Sequence, residues 1–268
     1  RVPPVARRRR RGGDRRVSRD VRVAVFRPDD ERLTDAVELL DSLGATPVPD
    51  PMLAVEPTAA TPPVDGDTAP DVVVLTSKTG VELLADAGWS PGGATLACIG
   101  PKTAAAARDA GWTVALVPEE YSSAGLVAAL GGDVHGRRVE VARSDHGSDT
   151  LTDGLRDAGA EGTETVLYRL SRPEGAGQSA VMAAGGELDA VCFTSSLTVE
   201  NFLAAAEERG VGGGVVAGLN RAVVGTIGTP TRETAREFGI RVDVVPEHAT
   251  FEELATAVVE EAAPTYHG

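Results

Sequence analysis

The sequence is poor in the residues that build disulfide frameworks and metal centres. Among 268 residues there are two cysteines and four histidines. Cys98 and Cys192 each lie in an apolar, strand-like run, which favours buried and reduced thiols over a disulfide. The histidines stand singly in loop-like or terminal contexts, whereas a metal site needs several ligands close together. We therefore expect neither a disulfide nor a bound metal.

Long apolar runs are also lacking. No stretch approaches the roughly 20 apolar residues that a membrane-spanning helix needs. No apolar segment of the kind found in secretory signals follows the basic residues near the start. The sequence therefore predicts no membrane segment and no export signal, and we expect a cytoplasmic protein.

Lysine is nearly absent, with Lys78 and Lys102 as its two occurrences. The formal net charge is -14, and residues 1–20 alone carry +7 from nine arginines and two aspartates, so the remainder carries -21. A surface dominated by carboxylates repels nucleic acid and is screened in concentrated salt, which predicts a halophilic, salt-adapted protein. Residues 1–20 are predicted to be a disordered basic arm, with a nucleic-acid tether as the alternative.

Signature motifs for common cofactors and nucleophiles are missing. We find no Gly-x-Ser-x-Gly elbow, no Gly-x-x-x-x-Gly-Lys phosphate loop and no convincing dinucleotide fingerprint. The sequence therefore predicts no cofactor.

Short apolar runs rich in β-branched residues alternate with helical patterns and with Gly or Pro breaks. This alternation predicts an α/β fold with parallel sheets and crossover helices. The last helix is predicted to begin with a capping box at residues 250–253, Thr-Phe-Glu-Glu. The predicted strands are residues 21–26, 72–76, 96–99, 114–117, 139–142, 165–168, 190–194, 222–226 and 242–245.

The pattern occurs twice along the chain. Residues 100–122 match residues 228–250 at a constant offset of 128, with three Gly or Pro positions and two hydroxyl residues in common. Upstream, Leu75-Thr-Ser matches Phe193-Thr-Ser at an offset of 118, so about ten residues are inserted in the second copy, and we place them in the Gly-rich stretch 210–218. A weaker pair joins residues 22–27 to residues 138–143. The repeats predict two similar parallel-sheet α/β domains, with linkers at residues 54–70 and 171–177 and a ligand cleft between the domains.

Hydroxyl residues stand at equivalent strand ends of the two copies. Ser77 and Ser195 follow one strand of each copy, and Thr103 and Thr231 follow the next, where the free N–H groups of a helix start form an anion site. Each of them is also a plausible helix cap and nothing more. Further candidates are Arg27 and Arg143, just past strands and equally suited to pairing with surface carboxylates, and Tyr168, a possible proton donor that is otherwise a core-edge tyrosine.

Five segments together resemble the uroporphyrinogen-III synthase family in order and spacing. They are Leu75-Thr-Ser-Lys-Thr-Gly-Val, Ile99-Gly-Pro-Lys-Thr-Ala, Val166-Leu-Tyr-Arg, Phe193-Thr-Ser-Ser-Leu-Thr-Val and Ile227-Gly-Thr-Pro-Thr. The resemblance spans residues 21–262. It implies two α/β domains joined by a two-stranded linker, with residues 21–54 plus 172–262 as one domain, residues 55–171 as the other and residues 263–268 as a tail. A contiguous split near residue 134 is the alternative.

The resemblance also implies an activity. The family closes hydroxymethylbilane to uroporphyrinogen III, losing water and inverting the last pyrrole ring through a spiro intermediate without a cofactor, which is the work of a cyclising hydro-lyase. Tyr168 matches the family tyrosine proposed as proton donor. Thr103, Thr231, Ser77 and Ser195 match positions that would bind substrate carboxylates, with Arg27 and Arg143 as additional candidates. Gly228-Thr-Pro-Thr departs from the usual Gly-Pro-x-Thr, which puts the local backbone there in question.

Two other functions compete with this interpretation. One is a non-enzymatic two-lobed protein that binds a small anion or senses an effector, and the other is a phosphosugar-binding module, since fold alone does not separate them. In each case the expected partner is a small anionic molecule rather than nucleic acid or membrane, and the expected oligomeric state is a monomer.

Overall fold

The computed structural model describes residues 21–263. The predicted basic arm and most of the predicted tail lie outside these residues. The strands of the described part are β1 Arg22–Val25, β2 Thr46–Pro49, β3 Ala54–Pro57, β4 Val72–Leu75, β5 Thr95–Cys98, β6 Val114–Leu116, β7 Arg138–Ser144, β8 Glu161–Ser171, β9 Ala190–Phe193 and β10 Val223–Thr226. The α-helices are α1 Glu31–Ser42, α2 Lys78–Asp86, α3 Pro101–Asp109, α4 Ser123–Leu130, α5 Asp149–Asp157, α6 Gln178–Gly185, α7 Ser196–Glu208, α8 Gly212–Leu219, α9 Thr229–Glu237 and α10 Phe251–Ala262.

The described chain forms two compact units. Unit 1 consists of residues 21–50 and 177–263, and unit 2 of residues 51–176. The chain thus leaves unit 1 after Asp50 and re-enters it at Gly177.

Unit 2 contains a six-stranded sheet in the order β3-β8-β7-β4-β5-β6. All neighbouring strands are parallel except β3, which pairs antiparallel with the end of β8. Strand β4 is buried along its whole length: Val73 packs on the side of Trp89 and Trp112, and Val72 on the side of Leu126. Because helices cover both faces, the strand has an uninterrupted apolar sequence.

Unit 1 contains a four-stranded, all-parallel sheet in the order β10-β9-β1-β2. One face packs on helices α1 and α10 through an aliphatic cluster. The other face carries three fully buried rings, Phe26, Phe193 and Phe202, whose centroids lie 4.9 to 5.6 Å apart. The α/β class with parallel sheets is therefore confirmed in both units.

The predicted repeats coincide with structural boundaries. An offset of 118 carries β4 onto β9, and an offset of 128 carries β5 onto β10 and α3 onto α9, residue for residue. In the aligned copies the strand order is the same. Each unit has two adjacent strands that are followed by helices on opposite faces of the sheet. These strands are β4 and β7 in unit 2, and β9 and β1 in unit 1. Such a switch point leaves a crevice at the carboxyl edge of the sheet, where α/β proteins commonly bind ligands.

The Gly-rich insertion is helical. Residues 212–219 form α8, which packs on α6 so closely that a Cβ at Gly218 would lie 1.9 Å from the carbonyl oxygen of Ala183. Glycine has a low intrinsic helix propensity, so tertiary packing decides the structure here.

Two local predictions were wrong. Residues 242–245 form an isolated bridge at Val244 instead of a strand, because the Asp243 carboxylate takes the Val224 N–H at 3.0 Å. At the start of α10, Thr250 accepts from Glu253 N–H, but Glu253 accepts from His248 N–H, so the capping box is incomplete.

Candidate functional site

Ser77 occupies the carboxyl end of β4, at the switch point of unit 2. Its backbone is extended, and its Oγ accepts a hydrogen bond from the Gly80 N–H at 3.0 Å, so it caps helix α2. Ser77 is half-buried. The hydroxyl therefore stands at the border between the protein interior and the open edge of the sheet.

Tyr168 reaches this same hydroxyl from strand β8. Its phenol donates to Ser77 Oγ at 3.0 Å, and the residue is 7% exposed. A register shift between Arg143 and Ser144 on β7 places both Leu167 and Tyr168 in one core cluster, although consecutive strand residues normally face opposite sides. The irregularity thus aims the phenol at the end of β4, as bulges near functional sites often do.

Thr103 and Thr231 occupy the third position of helices α3 and α9, and both are buried, at 4% and 3% exposure. Each helix begins after an extended glycine, Gly100 or Gly228, and each is nine residues long. In the second copy the proline stands one position later in the helix, and this difference leaves the backbone path unchanged. It alters which N–H is missing from the first turn, because proline has none.

Ser195 is the counterpart of Ser77 in unit 1, but its hydroxyl belongs to a different network. It accepts from the Thr198 N–H at 3.2 Å, while Thr198 Oγ1 accepts from the Ser195 N–H, which completes a capping box. Thr198 is fully buried and stands where unit 2 has Gly80. The Ser195 hydroxyl therefore accepts a hydrogen bond within its own helix, whereas the Ser77 hydroxyl also accepts one from a phenol on another strand.

Arg27 extends from the end of β1, at the switch point of unit 1. Its guanidinium carbon lies 4.5 Å from the centre of the Phe251 ring, a cation–π contact. Burial lowers the pKa of Arg27, and the nearby Arg32 acts in the same direction. The residue is half-buried and keeps its charge, because arginine remains protonated in proteins.

Arg143 has a different environment. It is 5% exposed, donates to the Ser148 carbonyl at 2.7 Å and pairs with Glu164 at 2.6 Å. It also lines a cavity of about 230 Å³ together with Asp149 and Asp153. The structure does not bring Arg143 to Ser77 and Tyr168: its two terminal nitrogens contact the Ser148 carbonyl and the Glu164 carboxylate instead.

Lys78 and Lys102 were not among the predicted site residues. They are the first residue of α2 and the second residue of α3, both exposed, and they line one groove of about 970 Å³ between these helices. Their positions in the two anion motifs of unit 2 were the available signal. The anion motifs of unit 2 thus include lysine side chains.

The cysteines carry no chemistry at these edges. Each is buried and free, and burial raises the pKa of Cys98 to about 11 and that of Cys192 to about 12. Within residues 21–263, no three His, Cys, Asp or Glu side chains are grouped so that they could hold a metal ion. In the same part of the chain, no helix is both long and apolar enough to span a bilayer.

A family profile described as uroporphyrinogen-III synthase HemD matches residues 34–256. The chain belongs to the uroporphyrinogen-III synthase family. A Methanothermobacter thermautotrophicus protein that carries the family's name is 34% identical over 248 residues, covering 88% of this chain and 96% of that protein. The uroporphyrinogen-III synthase of Synechococcus elongatus is 28% identical over 238 residues, with 84% and 90% covered.

Solved structures of the uroporphyrinogen-III synthase family share the fold. A mutant uroporphyrinogen III synthase from Thermus thermophilus aligns with a TM-score of 0.65 at 23% identity, covering 90% of this chain and 98% of that chain. The Helicobacter pylori enzyme aligns with a TM-score of 0.57 at 14% identity, covering 90% and 99%. At these identities the likeness concerns the fold alone.

Proposed function

We propose that this protein acts in tetrapyrrole biosynthesis as a uroporphyrinogen-III synthase, closing hydroxymethylbilane to uroporphyrinogen III with loss of water. The observation that carries the proposal is the hydrogen bond from Tyr168 to Ser77 at the switch-point edge of unit 2, in a chain of this family. The enzyme would be a cyclising hydro-lyase.

The reaction needs a proton at one oxygen. The terminal hydroxymethyl group of the substrate leaves as water once its oxygen is protonated, because the pyrrole nitrogen supplies electrons to the remaining methylene carbon. A phenol stays protonated at neutral pH and can act as the acid. We assign this role to Tyr168, the phenol that the bulge in β8 directs to the edge of the sheet.

Substrate binding is assigned to the helix starts at the carboxyl edges of the two sheets. The substrate carries acetate and propionate groups, and helix N-termini bind carboxylates through free N–H groups and the helix dipole. In unit 2 these starts are α2 and α3, with Thr103 and the two lysines beside them. In unit 1 they are α7 and α9, with Ser195, Thr231 and Arg27.

Positive groups at these edges act against an unfavourable background. The chain has a net charge of -14, so a polycarboxylate is repelled over most of its surface. The polycarboxylate substrate therefore binds where it is attracted by local N–H donors and by the side chains of Lys78, Lys102 and Arg27. Arg143, whose donors hold Ser148 and Glu164, is assigned to fixing the turn after β7.

Catalysis on this proposal is chiefly positioning. The flexible bilane closes by itself to isomer I, so the enzyme must hold the chain such that the other carbon of the last ring attacks. Well-oriented intramolecular reactions gain about 7 to 11 kcal/mol from such positioning. No cofactor is needed for a reaction without redox change.

The proposal is tested by product analysis. Purified protein in molar KCl receives freshly generated hydroxymethylbilane, and the products are oxidised and separated as uroporphyrin isomers. Predominant isomer III is the expected result, and Tyr168→Phe should lower its rate of formation while the circular dichroism spectrum stays unchanged. Isomer I alone from folded protein would refute the proposal and favour a small-anion binding protein.

The acidic composition of the chain bears on its oligomeric state and its location. We propose a monomer that acts in the cytoplasm and binds neither nucleic acid nor membrane, on the basis of an isoelectric point near 4.8 and the carboxylate-rich surface. Sedimentation equilibrium in molar KCl should give the 27.6 kDa of one chain. A dimer mass at micromolar concentration would contradict this assignment.

A further inference from the structure

Ser77 is placed between the buried phenol of Tyr168 and the open edge of unit 2. Its oxygen accepts two hydrogen bonds, one from the Gly80 N–H and one from the Tyr168 O–H, each at 3.0 Å. A serine hydroxyl has two lone pairs and one proton. Since both lone pairs are used, what Ser77 has left to offer a ligand is its proton.

The phenol itself has little access to a ligand. Tyr168 is 7% exposed and lies in the core cluster with Leu75 and Leu167, whereas Ser77 is half-buried. A proton that starts on the phenol therefore has its shortest route to the sheet edge through the serine oxygen.

On the basis of the ring-closing function proposed above, we propose that Ser77 is a further catalytic residue, which passes the proton of Tyr168 to the leaving hydroxyl of the substrate. This replaces the carboxylate-binding role expected for Ser77. The geometry favours proton transfer over carboxylate binding. Ser77 has one proton to donate and accepts a hydrogen bond from the Tyr168 phenol, and the leaving oxygen of the substrate is neutral and must gain a proton.

The step balances without a co-reactant. The Ser77 O–H bond breaks and its proton joins the leaving oxygen, while the C–O bond of the hydroxymethyl group breaks and its electron pair leaves with the water. The Tyr168 proton moves to Ser77 Oγ, which restores the serine and leaves a phenolate beside the N-terminus of α2, where the helix dipole stabilises negative charge. After the new C–C bond forms, the ring carbon loses a proton, which returns through Ser77 to the phenolate.

The second copy of the repeat provides an internal comparison. Ser195 caps α7 as Ser77 caps α2, but its local partner is Thr198 of its own helix. At the position of Thr198, unit 2 has Gly80, and a Cβ there would lie 3.1 Å from Ser77 Oγ and 3.0 Å from Leu167. Two equivalent serines thus share the capping role, and the one in unit 2 also receives a phenol from a distant strand.

The test compares Ser77→Ala with Ser122→Ala, since each removes one N-cap of a unit 2 helix; Ser122 caps α4 by accepting from the Gly125 N–H at 2.9 Å. Wild-type protein is first shown to form isomer III, and isomer I alone would end the proposed function itself. We expect Ser77→Ala to lower kcat for isomer III on the order of 10²-fold with KM nearly unchanged, the effect of losing a general acid. Ser122→Ala should keep kcat within about threefold, because the loss of a cap alone leaves the general acid in place.

Two further variants separate a relay from independent roles. Tyr168→Phe should lower kcat by a similar factor, and the double variant Ser77→Ala with Tyr168→Phe should be no slower than either single one, because both act in one step. Ser77→Thr, which retains a hydroxyl, should restore most of the rate. A raised KM with unchanged kcat in Ser77→Ala, multiplicative losses in the double variant, or equal effects of Ser77→Ala and Ser122→Ala would each overturn the relay while leaving the ring-closing function in place.

Discussion

Asp50 caps a helix whose N-cap residue lies 127 residues further along the chain. Its carboxylate accepts the Gly177 N–H at 3.1 Å, the Ser179 N–H at 2.8 Å and the Ser179 hydroxyl. Gly177 is the N-cap of α6 but has no side chain to cap with. Its φ of 105° and the 2.7 Å that would separate a Cβ from Ala205 both require glycine, so the cap has to come from elsewhere.

We expect Asp50→Ala to be among the most destabilising polar substitutions in unit 1. Asp50 is 7% exposed and Ser179 is fully buried, so the change leaves three donors without an acceptor. A buried unsatisfied donor costs about 1 to 3 kcal/mol. Because water can enter the space of the lost carboxylate, we expect about 3 to 4 kcal/mol in total, which lowers the melting temperature by roughly 10 °C for a chain of this size.

The assay is thermal and urea unfolding with two probes. Far-UV circular dichroism reports both units, whereas the fluorescence of Trp89 and Trp112 reports unit 2 alone, since the sequence has no other tryptophan. The circular dichroism transition should shift in Asp50→Ala, and Asp41→Ala, an exposed position on α1, serves as the matched control. A difference below about 0.5 kcal/mol between the two variants, the size of an ordinary surface substitution, would refute the reasoning.

Three other predictions follow from the structure and composition. Gly218→Ala should destabilise by more than about 2 kcal/mol through overpacking, while Gly213→Ala on the same helix, with nothing within 4 Å of the added Cβ, should be neutral or stabilising; equal melting temperatures would contradict this. Cys98 and Cys192 should resist alkylation at pH 8 until the protein unfolds, because pKa values of about 11 and 12 leave very little thiolate there; fast labelling of native protein would show otherwise. The melting temperature should rise between low salt and molar KCl as screening shortens from about 10 Å at 0.1 M to about 3 Å at 1 M, and a flat response would argue against salt adaptation.

Local and repeated features were predictable because they depend on near neighbours in the chain. Apolar runs separated by Gly and Pro identified the α/β class, and the offsets of 118 and 128 matched the boundaries of the repeated elements in both units. Cap residues such as Ser77 and Ser195 were recognisable because an N-cap binds N–H groups two or three residues away. These short-range interactions are kept in the folded protein, because no contact with a distant residue opposes them.

Contacts between distant residues were beyond the sequence. Tyr168 and Ser77 are 91 residues apart, and a single bulge in β8 decides that the phenol points at the serine. Nothing in the sequence near Asp50 indicates its contact with Ser179, which lies 129 residues further along the chain. Arg143 was predicted to contact a ligand or a carboxylate, and only the structure shows that it pairs with Glu164 on the neighbouring strand.

The sequence by itself thus determined the α/β class, the duplicated pattern, the helix starts and the family, because each is recorded in short-range spacing. Only the tertiary structure decided that glycines 212–214 begin a helix and that Ser77, but not Ser195, accepts a hydrogen bond from a phenol. It also decided that Arg143 pairs with a carboxylate while Arg27 stacks on the Phe251 ring. The physical reason is the same in each case. Burial, register and the partner across the sheet are set by residues far away in the chain, and a difference of one residue in register redirects every side chain beyond it.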